Sequence, residues 1–387
     1  MAFQSDYYPD VKILTPNDGA HYFFGYYDLR ATQGNRHLAH KVSFMDRLPT
    51  AGDVAQVGYL ENGKFVSFGE TTAWNFQQGA LLQYHPFLED TVFYNCFHEN
   101  RCCTVMHNYI SGEKRYTDRP AATLSGDGKW GLSVNFGRIY DFRAGYGYAA
   151  AVDEYAQENA PEKDGIYLTD LEKGKSKLLV SYDCLAQICN YPPEQKILIN
   201  HINFSPDSRQ YVALLRNFPV PGIKGWKTTM LVGDLRGNVR VLLARTYVSH
   251  YIWADNERIF AHCSAENMEK KSMYCVSAVD GSWQEYDMPL FHMGGETDLH
   301  CNISPNKNYI IGDTYPRDGY RSIEAINLQT GSCRSLFRAK TVIPTNPDIR
   351  CDLHNRFVFN GTAISYDTTQ NGCRQIALID LRGLNFK

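Results

Sequence analysis

The sequence predicts an all-β chain folded as a seven-bladed β-propeller of four-stranded antiparallel blades, on three grounds: a repeat near fifty residues, a second turn marker within it, and an aromatic composition suited to strands. A repeat period decides architecture before any local propensity does. Seven segments alternate apolar and polar residues and close on a polar turn with glycine: VGYLENG, TVMHNYISG, IYLTDLEKG, MLVGDLRG, YCVSAVDG, IEAINLQTG and IALIDLRG. Each reads as a strand ending in a hairpin turn. Their glycines, Gly63, Gly112, Gly174, Gly237, Gly281, Gly331 and Gly383, are 49, 62, 63, 44, 50 and 52 residues apart.

The second marker is an apolar strand running into a turn, as in TLSGDGKW, NFSPDSRQ, IWADNERI, NISPNKNY and FVFNGTAI. Gly, Pro, Asp and Asn serve such turns through their φ preferences and side-chain capping. Together the markers give four strands per period, and radial repetition of such units removes long exposed edges. After His354 the last unit has room for only three strands, so VKILTP (11–16) is expected to supply the fourth and close the ring. The chain therefore reads as one domain over 1–387, with an excursion at about 138–165 that lengthens the third unit. That excursion carries Arg138, Arg143, Tyr146 and Tyr148, and long loops on rigid scaffolds often carry function.

Composition narrows the function classes. With 39 Lys+Arg against 42 Asp+Glu and no basic block, a phosphate backbone has little to attract it, so no nucleic-acid partner is expected. Apolar runs fall far short of the roughly 20 residues a membrane helix needs, and the start MAFQSDYYPD lacks a charged, then apolar, leader pattern. No membrane partner is expected. Eleven cysteines, an odd count without CxxC spacing, read as reduced thiols in a cytoplasm. The 26 Tyr and 20 Phe suit pleated surfaces, and also clefts where flat rings meet sugar faces.

Four histidines keep the phase of the repeat. His201, His250, His300 and His354 each stand four residues before the turn position, and their spacings are 49, 50 and 54. In a propeller the first strand of each blade lines the axial channel, so equivalent positions converge on one mouth. Neutral imidazoles suit a divalent metal, and an imidazole titrating near neutrality suits proton abstraction. Metal, base or both remain open on spacing alone. Beside these positions stand Glu296, Asp298, Arg350, Asp352 and Arg216, with Gln77 and Gln78 before the corresponding strand of the second unit. Imidazole, guanidinium and amide together fit a carboxylated sugar better than an apolar ligand. Tyr26, Tyr27 and Asp28 in FFGYYD come from the matching region of the first unit. They offer a phenolic proton donor or a stacking face, with core packing as the other reading.

The SPD-type turns and the segments ending DLxxG resemble the TolB-type propeller repeat. The histidines, with RCDLHNRFVFNGTAISYDTTQNGCRQIALIDL at the C-terminal end, resemble the oligogalacturonate lyase group of propeller polysaccharide lyases. That resemblance implies β-elimination across a uronic acid, with a divalent metal (manganese or calcium) held by histidines and a glutamine, and a basic side chain that takes the C5 proton. It implies His300 and His354 as metal ligands and His250 or His201 as the base. The group's Gln-x-x-His-x-His cluster is not fully matched, since residues 350–355 carry a single imidazole.

The C5 proton of a uronate is poorly acidic until its carboxylate is neutralised by a metal, an arginine or an amide. Arg216 and Arg350 could do this without a metal, and Tyr27 could supply a proton. Arg138, Gln77, Gln78, Asp298 and Asp352 are candidates for holding the substrate, an acidic oligo- or polysaccharide. Glycoside hydrolysis would instead want two carboxylates roughly 5–10 Å apart, and no pair among Asp298, Asp313 and Asp352 is marked out by spacing. A non-catalytic propeller that binds a glycan or protein is the reading from another class. The sequence does not fix the oligomeric state.

Overall fold

A computed structural model of the chain describes residues 11–222, 225–264, 271–285 and 298–382. Glu296 and Gly383 lie outside these residues. The described chain is almost entirely antiparallel sheet. Three four-strand units come first, each given in the order in which its strands pair. The first is His21–Phe23, Arg36–Val42, Ala55–Glu61 and Lys64–Thr71, with the short Thr32–Gln33 added on Arg36–Val42. The second is Gln83–Tyr84, Thr91–His98, Arg101–Asn108 and Lys114–Tyr116, and the third Ala121–Leu124, Trp130–Ser133, Gly165–Asp170 and Lys175–Ser181. The fourth sheet has seven strands, from Ile197–Phe204 to Trp283–Glu285. It is continuous because Val239–Trp253 pairs with Thr228–Asp234 through its first half and with Arg258–Ser264 through its second. His250 thus lies on a strand shared by two repeats rather than on a separate inner strand. The next sheet runs His300–Ile303, Tyr309–Asp313, Tyr320–Asn327 and Cys333–Lys340. In the last, Arg356–Val358, Ala363–Thr368 and Gln375–Asp380 are joined by Val11–Ile13, which pairs antiparallel with Gln375–Asp380.

Both turn markers act as the sequence implies. Ser205 Oγ donates to Asp207 Oδ1 at 2.7 Å and accepts from the Gln210 N–H at 3.1 Å. Ser125 with Asp127 and Trp130, and Ser304 with Asn306 and Tyr309, repeat the arrangement. A short hydroxyl side chain thereby satisfies the turn's backbone while the strand reverses. Gly174 adopts φ +66°, and a Cβ there would stand 2.4 Å from the Tyr116 carbonyl oxygen, so only glycine closes that hairpin. Apolar side chains of neighbouring sheets interleave, as where Ile311, Ile323, Ala325 and Leu336 meet Ile364, Tyr366, Ala377 and Ile379.

The excursion is anchored by Arg138. Its side chain is fully buried and pairs with Asp153 at 3.1 Å, while its nitrogens donate to the carbonyls of Ile197 (2.7 Å), Glu158 (2.9 Å) and Asn159 (2.6 Å). The Arg138 donors are thus spent on the excursion and on the strand beginning at Ile197, an anchoring role beside the expected contact with substrate. Removing one partner of a buried ion pair costs about 3–5 kcal/mol. Arg138→Met is therefore expected to lower the urea unfolding free energy by about that much; a loss within the roughly 0.5 kcal/mol typical of surface changes would contradict this anchoring.

Candidate active site

The four histidines converge. Ring centroids are 6.4 Å apart for His201 and His250, 4.1 Å for His250 and His300, and 4.5 Å for His300 and His354. They do not face an open channel, however: their exposures are 5%, 6%, 1% and 2%. The reason is the FFGYYD segment, which fills the space beside them. Tyr26 stacks on His201 at 5.6 Å and meets His354 at 5.5 Å, while Tyr27 packs against His300 and His354. The Tyr26 hydroxyl lies 3.3 Å from His201 Nδ1. The Tyr27 hydroxyl is committed elsewhere, donating to the Tyr251 carbonyl at 3.2 Å.

Each carboxylate near the rings has a distinct task. Asp298 accepts from His250 Nδ1 at 2.8 Å and lies 3.3 Å from His262 Nδ1, with the Ser249 hydroxyl also donating to it. Asp313 Oδ1 accepts from His300 Nδ1 (2.8 Å) and the His300 N–H (3.0 Å), while Oδ2 accepts from the N–H groups of Leu353 (2.8 Å) and His354 (3.0 Å). Asp352 is ion-paired with Arg321 at 2.6 Å and with Arg350 at 2.7 Å, and lies 4.0 Å from His300 Nε2. His354 is held at φ +43°, a conformation sparsely used by side-chain-bearing residues and persisting only where surroundings fix it.

Burial and neighbours divide the imidazoles. Desolvation holds His201 and His354 well below the usual histidine range, helped by Arg216 and His300 respectively. His250 is lowered by burial, with Asp298 opposing. For His300 burial also lowers, but Asp313 and Asp352 together outweigh it and the net shift is upward. Burial brings Arg216 down to about 10, with Arg143 adding to the shift. Arg216 has no carboxylate within ion-pair distance among the described residues. It donates to the Val248 carbonyl at 3.3 Å and lies over Trp226 at 5.6 Å.

The two glutamines separate. Gln77 is buried and its Nε2 donates to the carbonyls of Asp348 (3.2 Å) and Arg350 (3.0 Å), which ties it to the Arg350 segment, while its Oε1 has no hydrogen-bond partner among the described residues. Gln78 lines a recess beside His201 together with Tyr26, Asp28, Asn200 and Asn203. Asn200 is 5% exposed, and neither its Oδ1 nor its Nδ2 has a partner among the described residues. Tyr146 of the excursion reaches the same place, its ring 5.7 Å from His201 and its hydroxyl accepting from Arg350 at 3.0 Å. The excursion also pairs Arg143 with Asp348 at 2.8 Å.

The donor set fits a divalent ion. Ligand atoms of His300, Asp352 and His354 all lie within 4.8 Å of one another, and buried His300 Nε2 has no hydrogen-bond partner among the described residues. Asp313 on the opposite ring nitrogen fixes the tautomer that points Nε2 at such an ion. Arg321, Tyr315 and His262 belong to the site and carry no repeat signal in the sequence. Asp313 could have been found from pairing, since it stands directly across the ladder from His300.

No sequence-family model matches the chain, and no curated protein matches it by sequence. Solved structures do match. An oligogalacturonate lyase in complex with manganese superposes with a TM-score of 0.66 at 14% identity, covering 96% of this chain and 93% of that one. An oligogalacturonate lyase from Vibrio parahaemolyticus gives 0.65 at 13% identity, covering 99% and 96%. The tricorn protease gives 0.55 at 12%, covering 98% of this chain and 34% of that one.

Asp313 is lowered to about 2, against burial, chiefly by His300. Its contribution is present above the unfolded value near 4 and is lost as pH falls through about 2. His300 runs the other way: its contribution is complete below about 6.5 and is lost as pH rises through its raised folded value. Asp313→Asn is expected to cost about 3–5 kcal/mol at neutral pH and to flatten the acid limb of a stability–pH curve; an unchanged limb would contradict the assignment. At the level of architecture, the chain has the oligogalacturonate lyase-like propeller fold.

Proposed function

We propose that the sheets form a ring of seven blades, the long shared strand counting in two of them and Val11–Ile13 closing the last, and that the protein is a lyase cleaving a uronate-containing oligo- or polysaccharide by β-elimination. The observation that carries this reading is the convergence of four imidazoles from distant repeats, three lowered and His300 raised, beside an arginine with no carboxylate partner among the described residues. Arg216 takes the role of neutralising the substrate carboxylate. Asp298 accepts the Nδ1 proton of His250, which leaves Nε2 with its lone pair and stabilises the imidazolium formed when it receives the C5 proton. As the C4–O4 bond breaks, the Tyr26 hydroxyl beside His201 donates to the departing oxygen. The polar recess at Gln78, Asn200 and Asn203 supplies donors and acceptors for sugar hydroxyls.

His300, His354 and Asp352 would hold a divalent ion, for which the manganese of the similar lyase structure gives a precedent. Such an ion, when bound, supplies Lewis-acid charge that neutralises a carboxylate. Asp352 stands two residues before His354, where the lyase group's cluster has an imidazole, so the chain offers a carboxylate in its place. Hydrolysis is disfavoured because Asp298, Asp313 and Asp352 are each bound to imidazole or guanidinium rather than facing each other as a free pair.

The test is incubation with a panel of uronate glycans, following the ultraviolet absorbance of the C4–C5 unsaturated product alongside reducing ends. Absorbance is expected to rise on an acidic glycan. His250→Ala is expected to slow it by roughly 10²–10⁴-fold, and His37→Ala, which removes a histidine bonded to Ser365 away from the cluster, to leave the rate of the folded protein close to wild type. Reducing ends without absorbance would replace elimination by hydrolysis, and neither signal on any glycan would favour a binding protein.

A further inference from the structure

The second unit carries two thiols that the proposed chemistry does not use. Cys96 on Thr91–His98 stands directly across the ladder from Cys103 on Arg101–Asn108, and their Sγ atoms are 3.7 Å apart. Both are free and buried, Cys96 at 7% and Cys103 at 1% exposure. Opposed residues on antiparallel strands have Cβ atoms roughly 4.5–5.5 Å apart, just beyond the roughly 3.5–4.5 Å of a disulfide, so a small local approach of the two strands lets the thiols bond. A hydrogen bond from the Cys96 thiol, with Arg101 assisting against burial, draws Cys103 below the usual thiol range. That bond favours one thiolate in the pair.

We propose that Cys96 and Cys103 are an oxidisable dithiol, a modification site for a hydroperoxide. The Cys103 thiolate attacks one peroxide oxygen, the O–O bond breaks, and the sulfur becomes a sulfenic acid while the released hydroxide takes a proton as water. The Cys96 sulfur then displaces the sulfenic hydroxyl as a second water, so two thiols and one hydrogen peroxide give one disulfide and two waters. The residues beside the pair give the modification its reach. Asn95 accepts from the Thr104 hydroxyl at 2.6 Å and donates to the Tyr148 hydroxyl at 2.8 Å, and Tyr148 stacks on Phe136 at the base of the excursion. Closing the disulfide acts on the strands that hold Tyr148, two residues from the Tyr146 that touches His201 and Arg350.

The test treats the folded protein with stoichiometric hydrogen peroxide, denatures it, alkylates free thiols and maps the peptides by mass. The expected product links the peptides of Cys96 and Cys103, lacks alkylation at both, and is restored by dithiothreitol; Cys102→Ser keeps the link and Cys96→Ser removes it. Exposed Cys184 is the internal control for oxidant reach. Full alkylation of Cys96 and Cys103 when Cys184 is oxidised would overturn the proposal, and so would a link from either cysteine to a different partner. These readouts do not depend on any lyase activity.

Discussion

The site depends on one carboxylate. Asp313 uses both oxygens, one on the ring and backbone N–H of His300 and the other on the backbone N–H groups of Leu353 and His354. It therefore joins the sixth repeat to the last, sets the tautomer of one histidine, and helps hold another in a left-handed conformation its backbone would otherwise avoid. Desolvating a carboxylate is costly unless it is fully bonded. Here four donors satisfy it, and the same bonds that make its burial tolerable assemble the two imidazoles.

Around that bond the electrostatics are arranged in pairs. Asp298 serves His250, Asp352 serves Arg321 and Arg350, and Asp313 serves His300. Arg216 is left without a carboxylate among the described residues. A buried cation without a carboxylate partner is costly, and the lowered pKa of Arg216 reflects that. A carboxylated ligand entering beside His201 would complete the pattern.

The fold was legible because period and turn chemistry are local. Ser205, Ser304 and the hairpin glycines announce reversals whatever the rest of the chain does. The phase of His201, His250, His300 and His354 also survived into the structure as one cluster of rings, although His354 stands just before its strand and His250 lies on a strand shared by two repeats. What the sequence did not disclose follows from tertiary context. Nothing in FFGYYD says that Tyr26 and Tyr27 fill the space against the histidines, and an arginine in a long loop gives no sign that, as for Arg138, it will be spent on internal carbonyls and one carboxylate. Arg321 and Tyr315 have no counterparts in other repeats, so self-similarity could not reveal them.

The central claim is that imidazoles remote along the chain form one cation-binding site. Manganese(II) titration followed by electron paramagnetic resonance tests it most directly. The account predicts one bound ion per chain, lost in His300→Ala and in His354→Ala but kept in His37→Ala. Binding that is absent from the wild-type protein, or that survives both cluster substitutions, would contradict it.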